Sequence, residues 1–332
     1  MSVAEPDVAR ARHLLSLDRN EEAEEALSRA LATDPENVTA WCLMGNLRLR
    51  QDRPRDAIAC VSRASAIAPD EEWPHRIASI AYSQVNPQQA VASARQAVRL
   101  APNLAVAHAQ LAIALAHGSY REKRESPHEA EHAIALQPEN ADIHFMAGNA
   151  SLGRRKYKEA EQHYLRALEI TPDYAPALNN ISVARLRRGR FLSAADGFGG
   201  AAAIDPSNDL HRRNLDAAVN RYLRMAYRAL TIVAILTINN NGFGYLAIAL
   251  PVVTIGLIIH ARGTLNSLTW SYISRLPRRN PRIGIFLLLL AVATVTLIAA
   301  PFVSQATASN LVTPALLVLA GFTIFSWRAQ PS

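Results

Sequence analysis

The stretch HEAEH, His128 to His132, places two imidazoles one helical turn apart with a carboxylate beside the first. On a helix this spacing lets both rings reach one divalent metal ion, while Glu129 serves as general base on a metal-bound water. The chemistry on offer is metal-assisted hydrolysis. It requires both rings to face an enclosed cleft, a third ligand from elsewhere in the chain, and rigid elements to hold them.

The elements around this stretch are set by a repeat. Pro35, Pro69, Pro102, Pro138, Pro172 and Pro206 are separated by 34, 33, 36, 34 and 34 residues. Each closes a similar phrase, among them SRALATDPEN, EHAIALQPEN and LRALEITPDY. Every phrase reads as the end of an apolar-faced helix followed by a proline that cannot continue it. Internal positions agree as well: Trp41, Met44, Gly45, Ala57, Val61 and Ala64 in the second unit are matched by Ala147, Gly148, Ala160, Tyr164 and Ala167 in the fifth. In the sixth, Leu178, Ile181, Ser182, Ala194, Phe198 and Ala201 take those places.

A period of 34 with small residues at fixed places resembles the tetratricopeptide repeat, a helix–turn–helix unit with the pattern W-x2-L-G-x2-Y, then A-x3-F, then P. The resemblance covers about residues 4 to 207 as six units. Arg48 departs from it where an aromatic is expected, the third unit is one residue short, and the fourth carries an insertion, GSYREKRES. It implies an all-α solenoid, with SNDLHRRNLDAAVNRYLR as a capping helix after the last unit. In that frame the second helix of the fourth unit runs from about Pro127 to Gln137 with Ala130, Ala133 and Ile134 on its core face. His128 and His132 are expected on the opposite, solvated face. No catalytic residue, metal ligand or cofactor is expected, and the chain is read as a non-enzyme.

Charge divides the chain in two. All 28 acidic residues lie at or before Asp216, whereas the part after residue 220 holds nine of the 35 basic residues, all Arg. The first 220 residues, with 26 basic and 28 acidic groups, are thus near neutral. The basic balance belongs to the tail, and a nucleic-acid partner is disfavoured. Cys42 and Cys60 offer neither a disulfide framework nor a CxxC metal pair. MSVAEPDVARARHLL lacks the apolar core of a secretory signal, and heavy use of Arg over Lys suggests a bacterial source.

Four apolar runs follow, at 223–238, 245–260, 283–303 and 310–327, each near the ~20 residues that cross a bilayer. The arrangement predicts a cytoplasmic solenoid over 1–220 and a membrane domain of four transmembrane helices over 221–332. Arginines gather at the start of the first run, Arg328 follows the last, and five more fill the segment 261–282, whereas the other two connections carry none. By the positive-inside rule both termini and that middle loop are cytoplasmic, in a plasma (inner) membrane. Leu265, Leu268, Tyr272 and Leu276 recur at helical spacing in a segment that also holds Arg275, Arg278, Arg279 and Arg282. They are consistent with either an interfacial helix beside anionic lipid head groups or an ordinary basic loop.

The resemblance further implies a partner protein or peptide in the groove lined by the first helix of each unit. Aligned units put Thr39, Cys42, Asn46 and Leu49, then Val106, Ala109 and Ile113, then Asp142, Phe145 and Asn149, then Asn179, Val183 and Arg187 on that surface. The leading expectation is a membrane-anchored scaffold or adaptor. The competing ones are a channel, transporter or enzyme subunit regulated by the repeats and, more remotely, an HExxH zinc metalloprotease.

Overall fold

The computed structural model describes residues 4–206, 208–239, 260–267 and 269–271. Among them every regular element is a helix: α1 Glu5–Ser16, α2 Asn20–Thr33, α3 Val38–Arg50, α4 Pro54–Ile67, α5 Glu72–Ser83, α6 Pro87–Leu100, α7 Ala105–His117, α8 Tyr120–Leu136, α9 Ala141–Gly153, α10 Tyr157–Ile170, α11 Ala175–Arg187, α12 Phe191–Ile204 and α13 Asp209–Asn239. The first twelve are the six expected pairs. The chain divides after Ala177 into two compact units.

Small side chains at fixed register make the pairs possible. Ala30, Ala64, Ala97, Ala133, Ala167 and Ala201, each five residues before a repeat proline, are 0% exposed. Eight before it stand Leu27, Val61, Ala94, Ala130, Tyr164 and Phe198, also buried. Three residues apart on a helix, these positions form one stripe, where a methyl admits the neighbouring backbone and the larger group fills the adjacent hollow. Size is traded across the pair. Facing Tyr164 is Gly148, where an added Cβ would lie 2.4 Å from the ring. Twelve residues before the proline stand Ala23, Ala57, Ala90, Ala160 and Ala194, and in the fourth repeat Ser126, which spends its hydroxyl on the Ala112 carbonyl at 2.8 Å.

Turns obey the same register. Seventeen residues before the proline, Asp18, Asp52, Arg155 and Gly189 all have φ between 56° and 78°. This left-handed conformation suits glycine, is tolerated by aspartate, and strains an arginine. Asn37 and Asn140, two residues after a proline, cap α3 and α9 through their side-chain oxygens. Six residues after the proline, a side chain returns to the proline carbonyl: Trp41 Nε1 to Pro35 at 2.8 Å, His75 Nε2 to Pro69 at 3.3 Å, His108 Nε2 to Pro102 at 2.8 Å and His144 Nε2 to Pro138 at 2.9 Å. Arg212 reaches Pro206 in the same way. A carbonyl only accepts, so each ring donates.

In the unit ending at Ala177, consecutive first helices α1, α3, α5, α7 and α9 pack on one another, and each second helix packs on the first helix that follows. Second helices approach their own successors less closely, so the first helices lie on the inner side of the curve. The fourth repeat departs from expectation. α8 begins at Tyr120 rather than Pro127, because Ser119 and Glu122 form a reciprocal capping box that turns the insertion into extra helix. Pro127 is therefore inside the helix.

In the second unit, Leu192, Ala195 and Phe198 of α12 pack with Leu215, Val219 and Tyr222 of α13. Ala261 and Leu265 complete this cluster, and the Asn266 amide donates to Asp196 at 2.7 Å. Leu265 is thus buried against protein, which does not fit the interfacial-helix alternative at this residue; Leu268, Tyr272, Leu276 and Arg275, Arg278, Arg279 and Arg282 lie outside the described residues. α13 passes through residue 220 without a break, so the capping helix and the first apolar run are one element. Among the described residues no helix is long and apolar enough to cross a membrane. The runs at 283–303 and 310–327, and that at 245–260 except for His260, lie outside the described residues.

Two measurements check this packing. Gly148→Ala should lower stability by about 1–3 kcal/mol, because the buried Tyr164 ring has no room to retreat, whereas Arg155→Asn should raise it by about 0.5–1 kcal/mol by relieving the left-handed backbone. Denaturant unfolding followed by helical circular dichroism reads both. A pH series checks the histidines. Burial, then the neighbouring His144, holds the His163 imidazole below its ordinary 6.5; Glu159 and Glu131 oppose this and Arg154 adds to it. The folded chain binds this proton less readily than the unfolded chain, so stability should fall as pH drops from 6.5 through the lowered value. His163→Gln should make that fall shallower.

Candidate functional site

The inner side of the first unit is carried by α3, α5, α7 and α9. Of the residues expected on it, Thr39, Asn46, Leu49, Val106, Ile113, Phe145 and Asn149 are half-buried and Asp142 is exposed. Two residues expected there face inward instead: Cys42 and Ala109 are buried. Burial pushes the Cys42 thiol up to about 12, so at neutral pH it is a small apolar group without nucleophilic character. Its place in the register is that of a core residue, one turn before Asn46.

Several of the remaining polar groups are engaged within the fold. Asn149 Oδ1 accepts from Tyr164 Oη at 2.8 Å, and Asp142 Oδ1 accepts from Tyr174 Oη at 2.6 Å. Phe145 lies between these two tyrosines, with ring centroids 5.6 and 5.3 Å away. Burial, with the bond to Asp142, raises the Tyr174 phenol above its ordinary range and keeps it a donor. This aromatic set is a firm platform whose Phe145 edge remains open. Arg48, which replaces an aromatic in the repeat pattern, pairs with Glu24 of α2 at 2.8 Å; Gln51 donates to the same carboxylate at 3.0 Å. These two bonds, first that from Arg48, hold the Glu24 carboxyl below the usual range.

In the second unit Arg187 is exposed and Val183 is half-buried against the α12 and α13 cluster. Asn179 is buried. Its Oδ1 accepts from Asn214 at 3.0 Å and lies 3.2 Å from His211 Nδ1, so it organises a polar knot.

The HEAEH stretch divides in a way its spacing did not show. His128 is 83% exposed. Glu129 and His132 turn toward α7, where Glu129 Oε2 lies 2.7 Å and His132 Nδ1 3.3 Å from His108 Nδ1. The His108 and His132 rings meet edge to face, 4.2 Å between centroids. The two histidines of the pattern therefore do not share one site. Sequence reasoning passed over His108 because it lies on the preceding helix; the signal available was its place six residues after Pro102, shared with Trp41, His75 and His144.

Comparison with known proteins agrees with this architecture. Two models of the tetratricopeptide repeat match the chain, one over residues 14–74 and one over 141–174. A thermophilic TPR protein of Thermus thermophilus is 21% identical with a TM-score of 0.50, over 55% of this chain and 100% of that one. A chain of the APC/C hetero-tetramer Cut9–Hcn1 is 17% identical with a TM-score of 0.51, over 65% of this chain and 42% of that one. At such identities the likeness concerns the fold alone. No curated protein sequence matches the chain. The register of prolines, alanines and glycines, the paired helices and these matches together identify tetratricopeptide repeats in this chain, matched over residues 14–74 and 141–174, and an all-α fold of the tetratricopeptide-repeat kind.

Proposed function

We propose that the chain is a scaffold that binds an extended or helical segment of a partner protein on the inner side of its repeats. Tetratricopeptide repeat proteins act as protein-interaction scaffolds, and the observation that supports the reading here is the row Asn46, Leu49, Val106, Ile113 and Phe145. These half-buried side chains sit on first helices that pack rigidly on one another. A row of this kind offers apolar contact with little ordering cost, since the backbone beneath it is already fixed. Asn46 is the polar group best placed to fix a partner's register. None of Asn46, Leu49, Val106, Ile113 and Phe145 is a cation, which argues against recognition of a terminal carboxylate by this row and for an apolar or aromatic ligand face.

The same proposal places the scaffold at a bacterial inner membrane with its repeats on the cytoplasmic side. Its support is compositional: the absence of Asp and Glu after Asp216, the apolar runs, and the arginines gathered between the middle two of them. Anionic lipid would attract those arginines by about 1 kcal/mol each.

Two results are expected. A photo-crosslinker at Leu49 or Ile113 should capture one partner that a crosslinker at the outward His128 does not, and joint Asn46→Ala, Leu49→Ala and Ile113→Ala should weaken its binding at least tenfold with helicity retained. Equal capture from both faces would overturn groove binding. The full chain should remain with membranes after high-salt and alkaline washing; release into the wash would overturn the anchoring.

A further inference from the structure

We propose that His108, Glu129 and His132 form a site for one divalent transition-metal ion of the zinc class, which clips the two helices of the fourth repeat together. The three residues offer two imidazole nitrogens and a carboxylate oxygen, all within 4.8 Å of one another, and they come from two helices. This is a different set from the HExxH pattern. It takes Glu129 and His132, replaces His128 with a ring from α7, and uses the carboxylate as a ligand rather than as a base.

The tautomer of His108 carries the inference. Its Nε2 lies 2.8 Å from the Pro102 carbonyl and must donate to it. In the neutral ring Nδ1 then bears a lone pair, and this lone pair faces Glu129 Oε2 at 2.7 Å and His132 Nδ1 at 3.3 Å. A carboxylate and a bare ring nitrogen repel at that distance unless a metal ion or a proton lies between them, and a metal ion is the one that also engages the third group, His132. A backbone carbonyl on the far nitrogen is also the usual outer support for a metal-bound histidine, because it fixes both the tautomer and the ring plane. His108 is buried and held, so its ligand nitrogen is preorganised; Glu129 and His132 are more exposed and free to adjust.

Distances suit the ion. Tetrahedral zinc with bonds of about 2.0–2.1 Å needs donors about 3.4 Å apart. The separation of the two imidazoles, 3.3 Å, already matches, and the half-exposed Glu129 carboxylate needs to withdraw slightly. A donor set of two imidazoles and one carboxylate favours zinc, copper or nickel over calcium or magnesium, and it leaves a coordination position open to solvent.

The neighbouring repeats supply the control. His144 repeats the His108 geometry, with Nε2 on the Pro138 carbonyl at 2.9 Å. Nine and six residues before the next proline, however, His163 and Arg166 stand where the fourth repeat has Glu129 and His132. There His144 Nδ1 is buried without a hydrogen-bond partner, and the His144 and His163 rings are 6.5 Å apart. The fifth repeat places a cation where the fourth places a ligand. The second helix of the fourth repeat also carries a proline in its interior, whereas Pro54 and Pro87 stand at the first position of α4 and α6, and a cross-link there would restrain the turn that Pro127 deprives of a backbone hydrogen bond.

The test uses the untagged full-length chain in detergent solution, stripped with a chelator and titrated with zinc by calorimetry, then with cobalt(II) as a spectroscopic probe. One zinc per chain is expected, weakening as pH falls because protons compete for the ligands. Cobalt should give the strong visible bands of a four-coordinate site. His132→Ala and Glu129→Gln, both at solvent-accessible positions, should each weaken zinc binding at least tenfold with helical circular dichroism unchanged, whereas His128→Ala should bind as the parent does. Absence of stoichiometric binding would overturn the proposal, leaving a proton alone to hold the His108–Glu129 pair. So would binding that survives His132→Ala or is lost in His128→Ala.

Discussion

The closeness of helix packing in this protein rests on a methyl group. Six alanines, each five residues before a repeat proline and each without exposed surface, fix how near the backbone of one helix comes to its neighbour. Larger side chains there would force the pair apart, and the holes that now receive Leu27, Val61, Tyr164 and Phe198 would open. Everything else in the repeat is arranged around that spacing. The proline ends the second helix, an asparagine two residues later caps α3 and α9, and in five of the six turns a tryptophan, histidine or arginine six residues later satisfies the proline carbonyl, Leu178 being the exception.

This construction explains which parts of the molecule could be read directly. Prolines and alanines act locally and recur, so periodicity alone exposes them, and the six helix pairs follow. The start of α8 was missed because alignment to sister repeats ends where an insertion begins, even though Ser119 and Glu122 carry a cap signal of their own. Cys42 and Ala109 were assigned to the groove by counting along a helix, but a helix wedged between neighbours on two sides buries more of its circumference than a single stripe. His108 is the clearest instance. A five-residue pattern pairs groups one turn apart, whereas the group that meets Glu129 and His132 is 21 and 24 residues earlier, on another helix. No linear spacing expresses that meeting; only the packed pair does.

The inner side and the histidine cluster illustrate two uses of one scaffold. Phe145, held between Tyr164 and Tyr174, is apolar surface kept open by polar bonds behind it, since each tyrosine spends its hydroxyl on Asn149 or Asp142. At His108 the direction is reversed: a backbone bond behind the ring leaves a polar nitrogen in front. Both depend on a residue whose far end is anchored, which is the condition for presenting a near end in a defined direction.

The long helix α13 has a mechanical meaning. α13 runs for 31 residues, roughly 46 Å at the α-helical rise. Its first turns are packed into the final repeat through Leu215, Val219 and Tyr222, and its last turns enter the first apolar run. A rod with no joint transmits tilt and torque: any force that reorients its far end pries directly on the seam with α12, and any rearrangement of that seam swings the far end in return.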